Sequence, residues 1–106
     1  MPRKSNYRSS AVCNKPECYI CHRQGIELDH HHLLEGRWRK LADQDNLWVW
    51  MCRKCHSLIH NEPSQTKIKE LQKLGQETFI TAEIKKGFSR EIARDIWFQR
   101  YGKFFD

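Results

Sequence analysis

Apolar residues change their spacing along this chain, and the changes mark its elements. In Ile26-Glu27-Leu28-Asp29 they alternate with polar residues, which is the period of a short strand with one covered face. Leu47-Trp48-Val49-Trp50-Met51 is aromatic and β-branched, and reads as a second strand. Residues 55–61 begin a helix that Pro63 ends, because proline lacks the N–H and crowds the preceding turn. Beyond Pro63 the spacing is helical. Ser64 is placed to cap a helix with Ile68, Leu71 and Leu74 on one face and Gly75 as its stop. A segment over 76–86 carries Phe79, Ile80 and Ile84 ahead of Gly87. Ser89 is placed to cap a last helix with Ile92, Ala93, Ile96 and Trp97 at helical spacing, which Gly102 breaks. Phe104-Phe105 is then expected to fold back on the core. Leu33-Leu34-Glu35-Gly36 opens a loop that runs through Arg37–Lys40.

These elements predict an α+β fold: a small ββα unit stapled by zinc and followed by a helical C-terminal extension. With 106 residues there is room for one domain. Residues 1–12 read as a flexible basic arm, 13–62 as the core, and 63–106 as the extension packed on it. A chain this short buries a modest core and needs a staple. The Met1-Pro2-Arg3-Lys4 start has no apolar run behind it, and no stretch reaches the apolar length of a membrane span. A soluble, cytoplasmic protein with no membrane partner is therefore expected.

The cysteines supply the staple. Cys18 and Cys21 form one x2-spaced pair, and Cys52 and Cys55 form another. A Cys-x-x-Cys turn places two thiolates on one side of a tetrahedral ion, so two such turns close a shell. A closed shell has no open position, which makes this Zn2+ structural. Five cysteines fit a closed disulfide set poorly and fit four ligands with Cys13 spare. Free buried thiols or a redox pair are the bland alternative, and matched spacing speaks against both.

All six histidines lie between residues 22 and 60, beside this cluster. His56 and His60 are spaced i, i+4, so on a helix both imidazoles lie on one face and can share an ion. Either could instead replace a cysteine in a Cys3His shell, although four thiols suffice. The net charge of +6 favours a polyanionic partner. Arg3, Lys4 and Arg8 precede the core, and Arg37, Arg39 and Lys40 sit between the strands. Arg53 and Lys54 lie inside the second cysteine pair. The inter-strand cluster suits contact with phosphates, although such residues also stay solvated when free. Trp38, Trp48 and Trp50 read as packing residues.

The succession Cys18-x-x-Cys21, Asp29-His30-His31-His32, Asn46-Leu47, Cys52-x-x-Cys55-His56 and His60 resembles the HNH endonuclease family, the ββα-metal or His-Me finger nucleases, in a variant with two zinc knuckles. The similarity covers about residues 18–60. More loosely, the chain resembles small phage-encoded HNH proteins, whose helical tail ends in a stretch like Arg100-Tyr101-Gly102-Lys103-Phe104. The resemblance implies a metal ligand followed directly by a general base. Two registers satisfy this: Asp29 with His30, or His31 with His32. The second places Leu33 after the pair and gives a His32 to Asn46 separation of 46 − 32 = 14, near the family interval. In that register His31, His56 and His60 hold Mg2+, Mn2+ or another divalent ion, His32 is the base, and Asn46 orients the base or shapes the loop.

Hydrolysis of a phosphodiester needs an activated water and a Lewis acid on the phosphate, and a neutral histidine is a good base near pH 7. The expected activity is therefore DNA cleavage. Double-stranded DNA is the expected substrate, cut by nicking as a monomer, with a phage origin in a bacterial host. The helical tail offers a surface for a homodimer or a protein partner. Two non-catalytic readings stay open: a zinc-ribbon DNA-binding module, and a phage regulatory protein on the same scaffold.

Overall fold

The computed structural model describes residues 10–106. Arg3, Lys4 and Arg8 of the expected basic arm lie outside the described residues. Strand β1 (Leu28–His32) pairs antiparallel with β2 (Trp48–Cys52), with His30 opposite Trp50 and Leu28 opposite Cys52. Between the strands lie a 3-10 turn (Gly36–Trp38) and helix α1 (Arg39–Gln44). Helix α2 (Arg53–His60) follows β2 directly. Helices α3 (Thr66–Lys85) and α4 (Arg90–Tyr101) pack against each other and complete a small α+β fold. Among the described residues, no helix is long and apolar enough to cross a membrane.

The first strand is longer and later than its alternation predicts. It begins at Leu28 and runs through His32, so the histidines are strand residues rather than loop residues. Histidine is no strong strand former. The pairing is set instead by β2, whose Trp48, Val49, Met51 and Cys52 are buried. The segment read as a basic loop contains α1, a helix of six residues in which Ala42 alone is buried. Asn46 ends the turn out of α1 in the left-handed region, at φ 61, a conformation asparagine tolerates better than most side chains. Ser10 donates its hydroxyl to the Trp48 carbonyl, and Ala11 N–H donates to the Asn46 carbonyl at 2.8 Å. These two contacts tie the start of the described chain to β2.

Gly75 does not stop a helix. It lies inside α3, which continues to Lys85. A Cβ built at Gly75 would sit 3.2 Å from Leu33 Cβ and 3.6 Å from Leu34 Cγ. Glycine thus lets α3 press against the two leucines that follow β1. Replacing Gly75 with valine is expected to lower stability by about 1–3 kcal/mol through overpacking. That loss would exceed the roughly 1 kcal/mol gained by removing a helical glycine. Urea unfolding measures the balance, and a raised midpoint in the valine variant would refute the close approach.

Ser64 also differs from its expected role. Its hydroxyl pairs with the Thr66 hydroxyl at 2.8 Å, while Glu62 Oε1 accepts the Lys67 N–H at 3.0 Å. A carboxylate there suits the positive end of α3. Ser89 does cap α4, its hydroxyl accepting the Ile92 N–H at 3.2 Å. Gly102, at φ 75, ends α4 with its N–H donating to the Phe98 carbonyl.

The tail returns over the core as the aromatic residues predict. Trp97 is fully buried, stacked on Tyr101 with ring centroids 4.0 Å apart, and donates its indole N–H to the Lys103 carbonyl at 2.8 Å. Gln76, also fully buried, accepts the Phe105 N–H and donates to Asp106. Across the other side of the extension, Asp45 accepts from the Tyr101 hydroxyl at 2.6 Å and from Arg100 Nε at 2.7 Å. Trp38 donates to the Tyr101 carbonyl and meets Phe105 edge-on, so Trp38 is a packing residue joining the inter-strand segment to α4. One hydrophobic cluster runs from Cys18 to Tyr101.

Candidate metal centre and histidine cleft

Cys18, Cys21, Cys52 and Cys55 come together with their sulfurs within 4.8 Å of one another, and they could hold a metal ion. Cys21 Sγ and Cys52 Sγ are 3.8 Å apart. The two turns match: Cys21 N–H points at Cys18 Sγ at 3.4 Å, and Cys55 N–H points at Cys52 Sγ at 3.5 Å. The backbone N–H of Arg23, outweighing partial burial, holds the Cys21 thiol down at about 6. Burial and the neighbouring sulfurs push the Cys55 thiol up to about 12. Four thiols crowded in this way cannot all ionise without a cation among them. Cys13 lies outside the cluster, half-buried, its thiol pushed up by burial. None of the histidines joins this group.

A second group forms where β1 meets α2. His31, His56 and His60 bring ring nitrogens within 4.8 Å of one another. His31 Nδ1 and His56 Nε2 are 3.3 Å apart. His31 is 3 % exposed. Burial, followed by the proximity of His56 and His60, holds its pKa down at about 3, so it is neutral with a lone pair to offer. Helix α2 begins at Arg53, so the i, i+4 spacing turns His56 and His60 to one face, as expected. Asp29 Oδ2 lies 2.9 Å from His56 Nδ1, on the side of the ring away from His31. The His56 imidazole beside Asp29 keeps that carboxyl below its usual range, against a small opposing effect of burial. Asp29 thus orients a histidine.

Glu35 was not foreseen. Its Oε2 lies 3.8 Å from His31 Nε2 and 3.5 Å from His60 Nε2. A carboxylate in a stretch read as loop carries no spacing signal; only its i+4 offset from His31 hints at it.

The third group sits on the other face of β1. His30 Nε2 and His32 Nε2 lie 3.3 and 3.2 Å from Asp43 Oδ1 on α1. The contact to His32 therefore comes from Asp43 and not from Asn46. Asn46 shapes the turn into β2, and its side-chain oxygen is buried with no hydrogen-bond partner among the described residues. A cleft of about 430 Å³ joins the groups, with His31, His32, Glu35, Arg39, His56 and His60 on its wall. A neighbouring cleft of about 510 Å³ continues from His32 past Arg37, Arg39 and Lys40. Arg37 lies over the Trp38 ring at 4.9 Å. At the start of α2, Lys54 is exposed, while Arg53 pairs with Glu27 and Asp29.

No protein-family model, curated protein or solved structure matches the chain.

Proposed function

We propose that the protein is a metal-dependent HNH-type endonuclease that hydrolyses DNA phosphodiester bonds, nicking as a monomer. The observation that carries this reading is one cleft in which three histidines that can share an ion stand beside His32 and open onto a basic groove.

Zn2+ is assigned to the cysteines. Bonds of about 2.3 Å in a tetrahedron separate sulfurs by about 3.8 Å, and Cys21 and Cys52 stand at that distance. His31, His56 and His60 would hold the second ion. Nitrogens bound at about 2.0–2.1 Å in a tetrahedron lie about 3.3 Å apart, which is the His31–His56 distance. An imidazole donor set favours Mn2+ or another transition ion over Mg2+. When bound, that ion supplies Lewis acidity at the phosphate. Burial keeps His31 unprotonated for this task, and Asp29 fixes the His56 ring.

His32 acts as general base. With Nε2 turned to Asp43 Oδ1, the ring carries its proton on Nε2 and takes the water's proton on Nδ1. Arg39, at the junction of the two clefts, with Arg37 and Lys40 beyond it, binds the flanking phosphates. One such cleft per chain cuts one strand per encounter.

The test is supercoiled plasmid incubated with purified protein across Mg2+, Mn2+, Ni2+ and EDTA. Open-circular DNA should accumulate before linear DNA with a divalent ion, and EDTA should abolish it. Salt-sensitive DNA retention with no cleavage under any ion would sink the enzyme reading in favour of a binding module.

A further inference from the structure

We propose that His30, His32 and Asp43 form a further metal site, on the face of β1 opposite His31, that takes a first-row transition ion such as Zn2+ and silences the nuclease when filled. The silencing rests on the proposed role of His32; the site itself does not.

Alternation along a strand sends residues 30 and 32 to one face and residue 31 to the other. Asp43 on α1 completes the group. A single carboxylate oxygen stands 3.3 Å from one imidazole Nε2 and 3.2 Å from the other, so three donor atoms lie within 4.8 Å of one another. The arrangement is held in advance of any ligand. His30 is stacked on Trp48 with centroids 4.1 Å apart, and Trp48 is itself buried in β2. Asp43 is exposed and lines the basic cleft, on the solvent side of the group. Two imidazoles and one carboxylate suit Zn2+, Ni2+ or Cu2+ and suit Mg2+ poorly.

The consequence for His32 follows from imidazole chemistry. A neutral ring has one N–H and one lone pair. An ion on Nε2 takes the lone pair there and leaves the proton on Nδ1. The ring then has no free lone pair for the proton of water. The same Asp43 oxygen that steadies the base would become a ligand in the inhibited form.

The site is tested by counting ions on the full chain titrated with Zn2+ alone, by native mass spectrometry. The wild type should hold one ion more than Asp43→Ala and His30→Phe, three against two where the other two clusters are filled. Phenylalanine keeps a flat ring against Trp48, and Asp43 is a surface residue, so both variants should fold. Equal ion counts on the wild type and on both variants overturn the site. A second measurement follows nicking in a fixed excess of Mn2+ as Zn2+ is added. Blocking a general base should slow the wild type by on the order of a hundredfold, while His30→Phe resists. Equal inhibition of both overturns the switch. Absence of nicking from every protein and ion removes the nuclease reading and the switch together, while the ion count still decides the site.

Discussion

Cys52→Ser is expected to leave the chain without a cooperative fold and without its tightly held ion. Cys52 is the last residue of β2, pairs opposite Leu28, and its sulfur accepts the Cys55 N–H that starts α2. Losing it opens the shell of four thiols and the cap of a helix at once. Structural zinc in small domains carries about 10–16 kcal/mol of apparent binding energy at neutral pH. Domains are stable by about 5–15 kcal/mol in total. A loss of the first size exceeds most of the second range, so the expected outcome is an unfolded protein and not a slightly weaker one. Strong chelation of the wild type should give the same spectrum. Acid should assist the chelator, because protons compete for the thiolates. Cys13→Ser is the matched control, because Cys13 stands apart from the cluster and should be dispensable. Near-ultraviolet circular dichroism and zinc content measure both variants. A Cys52→Ser protein that melts cooperatively within a few degrees of the wild type would show that the ion does not hold the fold.

The other large effect is on chemistry alone. His32→Ala should lower the rate of plasmid nicking by about 10²–10⁴-fold, the usual contribution of a general base. Melting temperature and DNA retention should stay close to wild type, because the His32 ring lies at the edge of the cleft and not in the core. His31→Ala should behave differently. It removes a buried side chain facing His56, so it should lose one bound ion along with activity. The contrast distinguishes a base from a ligand. It also decides between the two registers that the run of three histidines leaves open. If His30→Ala abolishes nicking while His32→Ala leaves it intact, the base is His30 and the assignment above is wrong.

The parts of the fold that could be read from sequence are those that local chemistry dictates. The paired cysteines announced one cluster because x2 spacing brings two thiols to one side of an ion, and the structure gathers the four named. Ser89 and Gly102 marked the ends of α4 because a hydroxyl cap and a left-handed glycine act within one turn. What escaped was tertiary. Gly75 looked like a stop because glycine weakens helices, but its reason lies in Leu33, 42 positions earlier (75 − 33) and in another element. The α1 helix was hidden among basic residues, with only Ala42 buried. Glu35 and Asp43 reach the histidines through the path of the chain between the strands, and no periodicity in that stretch reveals where they end. Asn46 was expected to touch the base or shape the loop. Its left-handed backbone accounts for the second role, and Asp43 makes the contact.

The shared position of Cys52 sets an order in time. The sulfur that closes the thiol cluster also starts the helix whose next turns carry His56 and His60. The histidine ligands on that helix have no fixed partners until the helix stands on the sheet, and the sheet ends at the same cysteine. If the thiol cluster holds zinc and the histidines a second ion, as proposed, zinc would load first and the second ion would bind chains that already hold it. Chains that miss the first step stay open to proteolysis, as any unfolded population does. If zinc fills the thiol cluster, its scarcity would reduce the number of folded molecules.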